Sequence, residues 1–164
     1  MTCIIHRQNI GFDLPAQQHI IDLMTNAPRT SMLQGQVAGW TTRKIGQRHI
    51  REPRLWLLVN LVGNIMARYS DETLDLLFWF VGVEPGGTIA WHDHNQTDLA
   101  AVYYPQTIRP DCGGQIEFED GSVVQPESGL LLVFSGMDRH RVLPYQGDGE
   151  RLSVAFNRVT GDMG

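Results

Sequence analysis

Residues 76–94 read LLFWFVGVEPGGTIAWHDH, and this stretch decides the fold class. Its first part, 76–83, is a short apolar run carrying Phe78, Trp79 and Phe80, broken only by Gly82. So short a run reads as a buried strand, because a membrane span needs about 20 apolar residues. Glu84-Pro85-Gly86-Gly87 reads as a turn, and 88–94 as the next strand. Side chains two apart on a strand share a face. His92 and His94 therefore project together, and Asp93 points away. Two imidazoles on one strand face form half of a metal site. A pair of solvent-exposed histidines is the bland alternative. The Gly-Gly turn and the apolar strand beside them favour metal binding.

Downstream the same character continues. Strands are expected at 100–104, 115–118, 122–124, 130–134, 140–143 and 151–156. Asp111-Cys112-Gly113-Gly114 is a turn between them, and Asp120-Gly121 is a hairpin signal. Roughly eight short strands at close spacing indicate a barrel or sandwich and not a parallel sheet. Upstream the signals are helical, with a short strand at 3–5. Leu14-Pro15 opens a helix that Pro28 ends. The polar, Gly-rich segment 31–46 reads as a loop. Pro53 starts a second helix, whose Leu55, Leu58, Val59, Val62, Ile65 and Met66 fall on one face at helical spacing. That face is expected to pack against a sheet.

The bulk properties narrow the function classes. The chain has 164 residues with a formal net charge of -5, which suits one globular domain. An acidic balance disfavours a nucleic-acid partner, since phosphate binding rests on clustered Lys and Arg. Arg43, Lys44, Arg48, Arg51 and Arg54 lie close in sequence, and read as a solvated segment. Two cysteines, Cys3 and Cys112, make no disulfide framework. Residues 1–11 lack a signal peptide's pattern, and no run is long enough for a membrane span. The expectation is a cytoplasmic protein with reduced thiols. The aromatic run at 76–80 fits either a homodimer contact or a buried central strand.

A third metal ligand should come from a distant strand, and His140 is the candidate, following the apolar run 129–134 and the Ser135-Gly136-Met137-Asp138 turn. His6, His19 and His49 lie in the N-terminal part and read as structural. Arg151 and Ser153 share one face of the last strand. Arginine offers a planar fork that matches a carboxylate bidentately, and serine adds a hydroxyl. Tyr104 is placed to donate a further hydrogen bond. A metal facing an Arg/Ser pair suits a ligand with a chelating head and a distal carboxylate, and 2-oxoglutarate is such a molecule. Alone, Arg151 would read as a weak surface ion pair with Glu150 or Asp148; its place after His140 argues otherwise.

Taken in order, His92-Asp93-His94, Val102-Tyr103-Tyr104, Gly113-Gly114, Pro126-Glu127-Ser128-Gly129, His140, Arg151-Leu152-Ser153 and Phe156-Asn157 resemble the 2-oxoglutarate/iron(II)-dependent oxygenase superfamily. Within it they are most similar to the small "putative 2OG-Fe(II) oxygenase" group. The resemblance covers about 78–159 and is fainter at Gly39-Trp40-Thr41-Thr42. It implies a double-stranded β-helix, a jelly-roll or cupin-like barrel, packed against two helices. One domain would span 1–164, with a helical part at 1–70 and a β-helix core at 73–159. It also implies an enzyme that uses Fe(II), takes 2-oxoglutarate as co-substrate, and hydroxylates an unidentified small molecule or peptide with release of succinate and CO2. His92, His94 and His140 would hold the iron, with Asp98 in reserve and Asp93 behind it. Arg151, Ser153 and Tyr104 would hold 2-oxoglutarate. Trp91, Trp40 and 31–46 are candidates for the mouth that admits substrate. The sequence departs from the superfamily in placing His94 where a carboxylate ligand is usual.

Two other readings stay open. A cupin-type metalloprotein is suggested by Gly86, His92-x-His94 and Asp98, then Gly121, Pro126 and Gly129. Against it, His140 comes late, and a cupin has no need of Arg151-x-Ser153. The third reading is a binder or scaffold without catalysis.

Overall fold

The stretch 76–94 is mostly one strand, not two. The computed structural model describes residues 2–11, 14–31, 35–70, 75–95 and 97–159. In chain order the elements are β1 (Ile4–Asn9), α1 (Leu14–Asn26), β2 (Arg29–Ser31), β3 (Gln36–Thr42), β4 (Ile45–Gly46), α2 (Pro53–Met66), β5 (Asp75–His92) and β6 (Thr97–Tyr103). They continue with β7 (Ile116–Phe118), β8 (Val123–Val124), β9 (Leu130–Ser135), β10 (His140–Val142) and β11 (Arg151–Val159). β5 runs unbroken through Glu84-Pro85-Gly86-Gly87, which corrects the expected turn. Those residues make a bend instead. Gly86 takes φ +89°, and a Cβ on Gly87 would stand 2.3 Å from the Ala38 carbonyl oxygen. Glycine permits both the positive φ and the close approach. Before the bend β5 pairs with β11, Arg151 opposite Val83; beyond it β5 pairs with β10, His140 opposite His92. One strand thus serves two leaves, changing partners at the bend.

The sheet order is β1-β9-β6-β11-β5-β10-β7-β8, with β3 and β4 also on β5. Each strand pairing is antiparallel. The sheet curls so that β7 and β8 close over β6 and β9. Ile116, Phe118 and Val124 pack there against Ala100, Val102, Tyr104, Leu132 and Phe134. This is the expected mainly-β architecture, a curled antiparallel sheet with two helices.

The helices cover the outer face of the larger leaf. Along α2 the buried residues are Leu55, Leu58, Val59, Val62, Ile65 and Met66, the set that helical spacing selected. The helix begins where Glu52 accepts a hydrogen bond from the Leu55 amide at 2.7 Å, with Pro53 in the first turn. α2 packs with Phe78, Phe80, Leu152, Val154 and Phe156 in one cluster. Parity puts Trp79, Val81 and Val83 on the inner face, in a second cluster. Phe78, Trp79 and Phe80 are all buried within the chain, so the aromatic run needs no second copy to cover it.

Within the expected loop 31–46, Gln36–Thr42 and Ile45–Gly46 are strands, while residues 32–34 lie outside the described residues. β3 lies along β5, with Trp40 opposite Gly82 and Thr41 opposite Val81. Tryptophan and threonine suit a half-buried pleated surface, and the glycines on either side hid that signal. Trp40 is buried against the helix-side core. Arg29 stacks on its ring at 4.4 Å and its indole N–H donates to Glu150. Trp40 therefore takes no part in a mouth on the inner face. Among the described residues, no helix is long and apolar enough to cross a membrane.

Candidate metal centre

Two strands and the segment that follows the first carry the three histidines to one point. His92 ends β5, His94 follows it, and His140 begins β10 directly opposite His92. Their ligand atoms lie within 4.8 Å of one another. The His94 and His140 rings are stacked 7° from parallel, and their Nε2 atoms stand 3.3 Å apart. Two nitrogens each about 2.1 Å from a shared ion, at roughly a right angle or a little more, would stand about 3.0–3.4 Å apart. The separation fits a common ion.

The hydrogen bonds around the rings aim the lone pairs inward. His92 donates from Nδ1 to the Ala90 carbonyl at 2.8 Å, and His140 from Nδ1 to the Asp138 carbonyl at 3.0 Å. Each bond holds the proton on Nδ1 and leaves Nε2 as the donor to a metal. Burial holds all three imidazoles below the ordinary histidine range, His94 at about 4 and His140 at about 3. Neighbouring histidine charges add to the depression at His94 and His140. At neutral pH the cluster is uncharged and ready to ligate.

The two acids held in reserve stand outside this cluster. Asp98 is exposed and its carboxylate accepts from the Leu99 amide at 2.7 Å. Asp93 accepts from the Asn95 amide at 3.2 Å. The other candidates gather at the cavity. His92, His94, His140, Tyr104, Arg151 and Ser153 all line the same one. Its free volume, ≈ 60 Å³ traced by the centre of a water-sized sphere, is room for about four to six waters. That suits a small chelating acid, not a bulky molecule.

Arg151 is no surface residue. It is 1% exposed, and its Nε–H donates to the Gly114 carbonyl at 2.6 Å. Glu150 is engaged elsewhere, pairing with Arg29. Among the described residues no carboxylate lies within 4 Å of the Arg151 guanidinium. The guanidinium sits 5.3 Å from the centre of the Tyr104 ring, and the buried Tyr104 hydroxyl has no hydrogen-bond partner. Burial raises the tyrosine's pKa, opposed by the Arg151 charge, and works against the charged guanidinium. A buried cation without a counter-ion, beside an orphaned hydroxyl, is an arrangement that an incoming carboxylate completes. Gly114 is required there. Its φ is +76°, and a Cβ would press on Arg151 Cδ at 3.1 Å.

Two polar groups of the inner face were given no role at the site by the sequence reading. The indole N–H of Trp79, a cavity-lining residue, is buried and unpartnered, and so is the amide oxygen of Asn157. Asn157 follows Arg151 and Ser153 at even spacing on β11, a parity signal that would have found it. Trp91, the other mouth candidate, is half-buried beneath the Arg141 guanidinium at 4.8 Å and lines a separate pocket with Glu117, Glu119 and Arg139, not the histidine-lined cavity.

Comparison with known proteins bears on the fold. The family model described as "Putative 2OG-Fe(II) oxygenase" matches residues 113–157. No curated protein matches the chain. A prolyl-4-hydroxylase from Pseudomonas putida has a similar fold, with a TM-score of 0.78 at 20% identity over 95% of this chain and 92% of that one. HygX from Streptomyces hygroscopicus, solved with nickel and 2-oxoglutarate bound, gives 0.76 at 12% identity over 95% and 82%. A prolyl hydroxylase from Trichoplax adhaerens, in complex with a hypoxia inducible factor peptide fragment, gives 0.73 at 15% identity over 94% and 82%.

Proposed function

We propose that this chain, whose matching family model and structural neighbours are 2OG-Fe(II) oxygenases, hydroxylates a small molecule or peptide at the His92/His94/His140 centre. The observation that carries the reading is the shared cavity, with three neutral imidazoles and an unpaired buried arginine on one lining. Iron bound there would supply oxygen activation, coupling oxidation of 2-oxoglutarate to succinate and CO2 with hydroxylation of the substrate. The chain's own residues have narrower tasks.

His92, His94 and His140 hold the metal as neutral donors, and the carbonyls of Ala90 and Asp138 keep two of the rings in the ligating tautomer. Arg151 binds the distal carboxylate of 2-oxoglutarate through the guanidinium edge not engaged by Gly114. Tyr104 and Ser153 add hydroxyl donors. Aliphatic and aromatic walls, among them Val81, Ile89, Phe134 and Val142, keep water from the bound acid. The peptide and small-molecule ligands of the neighbours (a hypoxia inducible factor fragment; hygromycin B with HygX) support both substrate classes.

The test is product analysis. Fe(II)-loaded protein incubated in air with 2-oxoglutarate, and with ascorbate to reduce the second oxygen atom to water in the absence of substrate, should release succinate and CO2 in equal amounts, and Arg151→Ala should not. Iron binding without any succinate would favour the cupin-type reading.

A further inference from the structure

His92 and His140 are each held by a backbone carbonyl, but His94 has no such acceptor for its Nδ1. The strand register shows what lies beneath it. Leu77, Asn157, Ala100 and Phe134 form one cross-strand row, and Trp79, Ala155, Val102 and Leu132 the next. The His94 ring packs on Phe134 at 6.3 Å and on Trp79 at 6.0 Å between centroids. It therefore stands across both rows, over the strand that carries Asn157. Asn157 is 6% exposed, and its amide oxygen has no hydrogen-bond donor. A buried acceptor left unsatisfied costs about 1–3 kcal/mol.

We propose that Asn157 is a positioning residue for His94, its amide oxygen accepting the Nδ1–H and so fixing the tautomer that turns Nε2 toward the metal. The assignment rests on the three-histidine reading above. It satisfies the orphaned Asn157 oxygen with one bond. It also gives the third imidazole the outer partner that the other two already have, and such partners typically change metal affinity 10–100-fold. The resemblance described above would put an anionic ligand at the position of His94. An amide behind a neutral ligand increases that ligand's basicity without adding charge.

The experiment uses the full chain with Zn(II) as the probe, which binds without turnover. In the zinc-loaded wild type, 15N-histidine NMR should show His94 protonated at Nδ1 and metal-bound through Nε2. Asn157→Leu should bind Zn(II) about 10–100-fold more weakly, and Asn157→Asp should restore or exceed wild-type affinity. Ligation of His94 through Nδ1 in the wild type would overturn the proposal, with no variant needed. So would a folded Asn157→Leu that binds zinc within twofold of wild type. A wild type that takes up no metal would overturn the three-histidine reading itself, and is distinguished by that result.

Discussion

Replacing Arg151 by Met separates ligand binding from fold stability more cleanly than any other change. The guanidinium is buried with one hydrogen bond, from Nε to the Gly114 carbonyl, and no acid partner among the described residues. A carboxylate docking there would gain charge-assisted hydrogen bonds of about 1.5–3 kcal/mol each. Truncating one side of such a buried pair typically costs about 2–5 kcal/mol, or a rise in Kd of roughly 30- to 5,000-fold. Calorimetric titration of 2-oxoglutarate into Ni(II)-loaded protein reads this directly, because nickel avoids turnover. The unliganded fold should respond the other way. Methionine of similar length removes an unpaired buried charge, so the melting temperature of the apoprotein should hold or rise. Arg151→Lys, which cannot present a planar fork, should fall between wild type and Met. The reasoning is refuted if Arg151→Met binds 2-oxoglutarate within threefold of wild type. It is refuted equally if the substitution destabilises the apoprotein by more than about 2 kcal/mol, since the arginine would then be structural.

Further predictions follow from the same geometry. Gly114→Ala, forced to φ +76° with its Cβ against Arg151 Cδ, should weaken 2-oxoglutarate binding while leaving zinc affinity within about threefold, less than the tenfold change typical of lost support to a metal ligand. Leu58 is fully buried in the helix-side core, so Leu58→Ala should cost about 2–5 kcal/mol by urea denaturation. The imidazoles of His94 and His140 titrate at about 4 and about 3 when folded, against about 6.5 when unfolded. Between those limits the unfolded apoprotein binds more protons, so its stability is full above about pH 6.5 and falls as pH falls toward 4. Urea midpoints at pH 7.5 and 5.0 should show this loss, and a His94→Gln/His140→Gln variant should show less of it.

Much of the fold was legible because its signals are local. The α2 face appeared as spacing alone, and the strands from 100 onward appeared as short apolar runs between turns. The inner-facing parity of Arg151 and Ser153 needed only the period of two. What stayed hidden depends on distant partners. Glu84-Pro85-Gly86-Gly87 carries every mark of a turn, yet the continuing strand finds β10 on the far side and bends without reversing. Residues 36–46 look like a loop until β5 offers them an edge. Trp40 looks like a rim residue until Gly82 makes room for its ring. At the site, residue types named the three histidines and the arginine. The absence of an acid partner for Arg151, and the place of Asn157 beneath His94, exist only in three dimensions.

The central claim is that one cavity holds iron on three histidines and 2-oxoglutarate on Arg151. Anaerobic titration of 2-oxoglutarate into Fe(II)-loaded protein tests it most directly, by the visible charge-transfer absorption of a 2-oxo acid chelated to iron. The account predicts a saturable band at one equivalent that is lost in His94→Ala and severely weakened in Arg151→Ala. Iron binding with no band at any 2-oxoglutarate concentration, or a band indifferent to Arg151, would contradict it.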